Sequence, residues 1–285
     1  MKTFYIVTLW LVVAAGTARA QLVSDTKPGT PNRFNEYSVY ASAGMSNILC
    51  KTDGGQTGYA FGYNAGLEYT CNIVSHLGIS TGAEYSNFAG TFTRGSLGET
   101  CDAVDAAGTP FLYTYSMQRY EESQRMNILS IPLMLRAKFA TGWYNKHIYI
   151  AGGVKLAIPL GSKVKISADN IHSSGYYPYE NIRYENMPRR GFYNGLNVYD
   201  QQSAVRGFTT MVILCCEAGL RIGNPRNALY IGAYLDWLPA DAGRSKSSHP
   251  MNYSGALSYE SILNSALISD MKMMSAGLKV KFSLF

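Results

Sequence analysis

The 285-residue sequence carries 15% charged residues, where an ordinary soluble domain has about 25%, and it holds 22 Tyr and 28 Gly, a mix suited to strands, aromatic girdles and tight turns. Its formal net charge of +6 is small and dispersed, which argues against nucleic acid as a partner. Five cysteines, an odd number without metal-ligand spacing, suggest no metal centre, and no motif calls for a cofactor.

Residues 1–20 read as an export signal. Lys2 gives the positive start, residues 4–15 form an apolar core too short for a membrane-spanning helix, and Ala18-Arg19-Ala20 fits cleavage before Gln21. No Cys follows that site, so no lipoprotein anchor is expected. Without Lys2 and Arg19 the remainder is near +4. Residues 21–34 read as an N-terminal periplasmic segment and 35–285 as one domain.

Eight segments alternate with period two, about 35–45, 58–70, 77–90, 120–139, 147–158, 207–222, 228–238 and 271–285. The connections around 71–76, 140–146 and 223–227 are short, the last through the turn residues Gly223-Asn224-Pro225-Arg226-Asn227. Those at 46–57, 91–119, 159–206 and 239–269 are longer. Antiparallel neighbours put consecutive connections at opposite ends, so strict alternation gathers the short turns at one end and the long loops at the other. That predicts an all-β, antiparallel up-and-down barrel of about eight membrane-spanning strands, with short periplasmic turns and long outer loops. Pro132, inside a regular strand, predicts a bulge or local irregularity.

One face of the segments carries Val39, Leu67, Ile79, Leu133, Ile150, Leu214, Ile231 and Val280, and no charge anywhere. The other holds Glu36, Glu68, Glu84, Glu217 and Asp236 with Arg136, Lys138, Lys155, Arg221, Lys279 and Lys281, among many Gly and Ser. Alternation alone would also fit a soluble barrel binding a lipophile inside. Three features favour the inverted arrangement, with the apolar face toward lipid. Small residues suit a narrow interior, opposite charges nearly cancel there, and Tyr69, Tyr85, Phe139, Trp237 and nearby Trp143 rim the apolar face like interface girdles. The charged face is then a salt-bridged lumen, with a selectivity lining for a narrow solute channel as the alternative.

The outer loops hold the remaining candidates. Tyr177, Tyr179, Arg183, Tyr184, Arg189, Arg190 and Tyr193 combine rigid aromatic area with adaptable polar groups, as binding surfaces do. Cys50 and Cys101 fall in loops at the same end and are a candidate disulfide in an oxidising compartment, whereas Cys215 and Cys216 sit side by side in a strand and point to opposite faces. His172 and His249, beside Ser173, Ser174, Ser247 and Ser248 with Asp241 and Asp270 near, form a conceivable Ser/His/Asp cluster of a rim-active hydrolase. Serine-rich loops produce such proximity by chance, so a non-enzymatic protein is expected.

Leu129-Ser130-Ile131-Pro132-Leu133-Met134-Leu135-Arg136, then Ile148-Tyr149-Ile150-Ala151-Gly152-Gly153, and finally Gly277-Leu278-Lys279-Val280-Lys281-Phe282-Ser283-Leu284-Phe285, resemble strands of the outer-membrane β-barrel domains of Bacteroidota, of the porin-family or PorT-like type. Phe285 departs from the usual terminal register by sharing parity with Lys279 and Lys281. The resemblance spans about residues 35–285 and implies residence in the outer membrane, with the terminal strand recognised by barrel-insertion machinery. The partners expected are outer-membrane lipid, that machinery, and an extracellular or secretion-system component met by the outer loops.

Overall fold

The structure, a computed structural model, describes residues 35–50, 54–74, 76–141, 146–204, 209–223, 227–240, 249–253, 257–265, 267–268 and 270–284. The signal segment, residues 21–34, Trp143, most of the Gly223–Asn227 turn, Asp241, Ser247, Ser248 and Phe285 lie outside them. Eight strands close an antiparallel ring: β1 (Glu36–Cys50), β2 (Gly55–Val74), β3 (Leu77–Val104), β4 (Pro110–Ala140), β5 (Lys146–Tyr177), β8 (Met211–Gly223), β9 (Asn227–Leu238) and β12 (Met271–Leu284). β6 (Ile182–Glu185) and β7 (Asn194–Ser203) add to β5, while β10 (Met251–Tyr253) and β11 (Leu257–Tyr259) pair with each other. The ring closes where β1 meets β12, from Tyr37↔Leu284 to Cys50↔Met271.

An apolar belt surrounds the lower ring. Val39, Leu67, Leu133, Ile150, Val212, Ile231 and Val280 are all exposed, and Leu278 reaches 70%. On β4 the belt covers residues 129–139, the 9–11 residues with which a tilted strand crosses a bilayer. Tyr37 and Tyr69 (5.1 Å between ring centroids) and Phe139 lie at its lower edge, while Trp237 and the pair Tyr63 and Tyr85 (6.3 Å) lie toward the other. This girdle pattern is the one expected at two membrane interfaces.

Three strands run far past the belt, which corrects the expectation of long loops. β3, β4 and β5 have 28, 31 and 32 residues, about three times what a bilayer needs. The expected loop at 91–119 is a paired hairpin that turns at Asp105, whose Oδ1 accepts from the Ala107 and Thr109 amides at 2.9 Å. The one at 159–206 is the upper half of β5 followed by β6 and β7. The first connection is only 51–54, so long and short connections do not strictly alternate. Beyond the belt, β4 rises on the order of 45 Å after allowing for strand tilt.

The two faces of the wall exchange chemistry at the belt's upper rim. Going up β4, the inward face passes from Arg136 and Ser130 to Ile128, Met126, Tyr115, Tyr113 and Phe111, all buried. The outward face passes from Leu135 and Leu129 to Arg125, Ser123 and Glu121. Above the rim the protein is therefore built like a soluble domain, with an apolar core. Ile48, Phe88, Phe92, Val164, Ile166, Ile171, Phe192, Met251, Ile262, Leu263, Ile268 and Met273 complete it.

Irregularities sit at and above this transition. The β4–β5 register shifts between Asn127 and Ile128, and again across 116–120. Arg119 (φ 43°) and Asn170 (φ 50°) take left-handed backbone there, joined through the ion pair of Arg119 with Asp169 at 2.5 Å. Pro132 produces no bulge. Pairing with β3 lapses between Thr81↔Leu133 and Glu84↔Ser130 in unchanged register, while pairing with β5 runs through Pro132↔Lys155 unbroken. Proline's missing N–H costs one rung on one side only.

Ser123 and Leu133 share the outward face of β4 but lie on opposite sides of the rim. Arginine at Leu133 or Ile231 should block folding into lipid vesicles, at about 2–4 kcal/mol near the bilayer midplane. Arginine at Ser123 should leave folding unchanged. Heat-modifiable migration on gels measures all three, and equal behaviour would overturn the belt assignment.

Candidate functional site

The lumen gathers every charged residue expected there. Low in the barrel, Glu36 pairs with Lys138 and with Arg136 (3.7 Å), and accepts from the Tyr230 hydroxyl (2.6 Å) and the Asn72 amide (3.2 Å). Arg136, with 0% of its side chain exposed, also pairs with Glu68 and donates to Thr70 at 3.0 Å. Lys281 bridges Glu68 (3.0 Å) and Glu217 (3.5 Å), and Lys279 holds Glu217 at 2.7 Å. Higher up, Lys155 spans Glu84 (2.6 Å) and Asp236 (2.8 Å). Arg221 lies 6.0 Å from the Tyr230 ring centroid and donates to the Gly223 carbonyl at 3.5 Å. Each charge faces its partner across the barrel because alternate residues of every strand point inward.

Sequence reasoning missed what fills the space between these charges. Tyr40, Tyr149, Tyr230 and Tyr234 point inward and are buried. The Tyr40 hydroxyl donates to Glu84 at 2.7 Å while Lys279 lies 3.8 Å from its ring centroid. Two lumen glycines make room for these rings. A Cβ at Gly66 would fall 2.6 Å from the Tyr40 hydroxyl, and one at Gly232 would fall 2.7 Å from that of Tyr149. Strand parity alone would have found these tyrosines, since each shares it with a charge on the inward face: Tyr40 with Glu36, Tyr149 with Lys155, Tyr230 and Tyr234 with Asp236.

The outer core holds a sixth buried carboxylate, apart from the five of the lumen, that sequence reasoning passed over. Glu122, on β4 above the rim, has no charged partner among the described residues. It accepts from Tyr120, from Gln124 (2.8 Å), from the Ser261 hydroxyl (3.0 Å) and from the Ile262 amide (2.5 Å). These last two bonds pin the 3-10 turn Ile262–Asn264, part of the β9–β12 connection, against the inner wall. Burial pushes the Glu122 carboxyl above its ordinary range despite the four donors.

The loop candidates divide. Tyr177 is buried, stacked on Phe111 at 4.9 Å, and Tyr184 packs edge-on against it at 5.3 Å under the Arg190 guanidinium. Tyr177 belongs to the core of the dome, which corrects its reading as a contact residue, and Tyr184 is partly buried against that core. Tyr179 (87% exposed), Arg183, Arg189 and Arg190 face outward, and Tyr193 is half-buried.

Cys50 and Cys101 are not joined by a disulfide. Ile48 lies against Gly90, so Cys50 is level with Phe92, and nine further residues of parallel-running strand, roughly 30 Å, separate it from Cys101. A disulfide needs Cα atoms within about 7 Å. The two candidate histidines stand on opposite faces of the sheet. His249 meets Glu99 (3.0 Å) on the inner side, where Glu99 also accepts from Tyr115, while His172 is exposed on the outer side. Among the described residues no three His, Cys, Asp or Glu side chains converge on a point where a metal could sit.

A closed ring with lipid-facing apolar residues and inward charges defines an integral membrane β-barrel. The chain belongs to the outer membrane protein β-barrel domain family, whose model matches residues 20–236, and its place is therefore the outer membrane. Its fold is similar to that of Neisserial surface protein A (10% identity, TM-score 0.37, covering 87% of this chain and 96% of that one). It is similar also to Ail, the attachment invasion locus protein of Yersinia pestis (11%, 0.33, 88% and 99%), and to the N-terminal barrel of Pseudomonas aeruginosa OprF (13%, 0.29, 87% and 97%). No curated protein matches the chain.

Glu122→Ala should orphan the Ser261 and Ile262 donors, weakening local protection of residues 261–268 by about 1–3 kcal/mol in hydrogen exchange. The raised carboxyl also sets a sign. A group that binds its proton more tightly when folded contributes stability in full below its ordinary value of 4.5, and loses it as pH rises through the raised value. Protection of this segment, corrected for intrinsic exchange, should be greater at pH 4 than at pH 8, and Glu122→Gln should remove the difference.

Proposed function

We propose that this is a non-enzymatic outer-membrane barrel, closed across the bilayer by its lumen ion pairs, that works through its outer dome as a scaffold, adhesion surface or secretion-associated component. One observation carries the reading: the strands continue on the order of 45 Å beyond the belt, although the belt alone would anchor the protein. A channel needs no such superstructure. A rim-active enzyme would need nucleophile, base and acid together, and His172 and His249 lie on opposite faces.

Within this reading the strand motifs keep the chain near the Bacteroidota PorT-like type, exported after cleavage between Ala20 and Gln21 and inserted through its terminal strand. The contact surface is the tip of the dome, where Tyr179, Arg183, Arg189 and Arg190 stand clear beside exposed Val104, Ile182 and Met187.

Purified protein in planar bilayers should show no large steady openings, and regular conductance steps would sink the closed-lumen proposal. Lys155→Met leaves Glu84 and Asp236 buried without their cation and should lower the urea midpoint by an amount equal to about 3–5 kcal/mol. Replacing Tyr179, Arg183, Arg189 and Arg190 together by alanine should reduce attachment of producing cells, to immobilised matrix proteins or to one another, by roughly tenfold or more. Full attachment by a correctly folded variant would reject the tip as the contact surface.

A further inference from the structure

On the outer face of the dome β7 and β6 take turns as the neighbour of β5. β7 pairs with it up to His172↔Asn194 and β6 from Ser174↔Glu185. The changeover falls at Ser173, where a cavity of about 210 Å³ opens beside the two ends of the chain joining β6 to β7. The floor of this bay is fixed by main-chain and side-chain bonds. The Ser173 amide donates to the Tyr193 carbonyl (2.8 Å), its hydroxyl donates to the Gly191 carbonyl (3.2 Å), and the Tyr193 amide donates back to that hydroxyl (2.8 Å).

Eight polar side chains line the bay around Tyr193. Ser173 is spent in the floor and Thr114 pairs with the Thr100 hydroxyl at 3.0 Å, which leaves six: Ser116, His172, Ser174, Glu185, Asn186 and Asn194. None of them makes a side-chain hydrogen bond or ion pair with another described residue. Unused groups converging on one rigid recess are what a ligand site requires.

We propose that this bay binds a neutral saccharide, one sugar ring in size. The lining offers no lysine or arginine, so an anion finds no counter-charge, and its single carboxylate is too few ligands for a metal cation. Two carboxamides, two hydroxyls and an imidazole supply donors and acceptors together, which suits a ligand whose hydroxyls each need both. Tyr193 gives an apolar surface for the ring's C–H groups. The volume is that of about seven waters, enough for one ring and little more. The assignment stands apart from the tip, since it needs neither a closed lumen nor Tyr179 and its neighbouring arginines.

The full-length protein in lipid nanodiscs, free of sugar-based detergent, is titrated with the methyl glycosides of glucose, galactose, mannose and N-acetylglucosamine, with glucuronate as the anionic comparison. Saturation-transfer NMR should show binding of at least one neutral glycoside, with Kd on the order of 1 mM. Asn194→Ala with Glu185→Ala, and separately Ser116→Trp, which fills the recess, should each abolish it. Ser123→Ala, elsewhere on the same face, should not. Absence of transfer from all four neutral glycosides, preference for glucuronate, or binding that survives both bay variants in folded protein would overturn the proposal. Because the tip is intact in these variants, their attachment to surfaces reports separately on the adhesion reading.

Discussion

Everything in this molecule depends on a charged side chain being unable to remain unpaired in a medium without water. In the belt the solvent is hydrocarbon on the outside, and the interior of an eight-strand barrel is too narrow for bulk water. Apolar residues therefore face out, and Arg136, Lys155 and Lys281, each almost fully buried, are placed against carboxylates from strands across the ring. Burying such a pair gains little stability over an apolar substitute, but breaking one is expensive. The network acts mainly as a constraint, because no single member can change without leaving another charge uncompensated.

Above the rim the same constraint releases, and the strands show it. With water outside, Leu129 and Leu135 give way on the outward face to Arg125 and Ser123, and the inward face turns apolar. The wall stays continuous while its polarity inverts. At this boundary the β4–β5 register shifts, and farther up Arg119 and Asn170 exchange the parity of both strands at once. Since each strand changes parity beside the other, inward residues remain inward, and Tyr115 and Ile171 join the same core as Ile128 and Ile166. A bulge also tightens local twist, which lets a barrel wall bend into a dome.

The same devices explain what could be read from the sequence. Strands within the belt were legible because alternation there is strict and both faces are chemically distinct, so the charged side chains separate onto one face of the pattern. The upper halves of β4 and β5 were not. Phe111, Tyr113, Tyr115 and Met117 do alternate, but in opposite parity to Tyr120 and Met126, so a continuous period-two pattern ends at Arg119. A strand broken in phase looks like a loop. The tyrosines of the third loop misled for a related reason: whether Tyr177 and Tyr184 serve a surface or a core depends on β10 lying nearby, where Tyr253 packs on Phe111 at 5.0 Å. Glu122 shares its parity with Arg136, yet its role comes from Ser261 and Ile262, which are distant in the chain.

The lumen charges also define which register the barrel can adopt. Lys279 and Lys281 lie opposite Ser42 and Tyr40 in the strand pair that closes the ring, while Leu278 and Val280 point to lipid. A slip of one residue between β12 and β1 would reverse the facing of the whole strand. Both lysines would then meet acyl chains, at about 2–4 kcal/mol each near the midplane, and Glu68 and Glu217 would lose their cations. With glycines opposite each other at Gly44↔Gly277, the closing strands have little side-chain packing of their own to resist such a slip at that level. The register is held instead by charge, so the network that fills the lumen also determines how the cylinder is sealed.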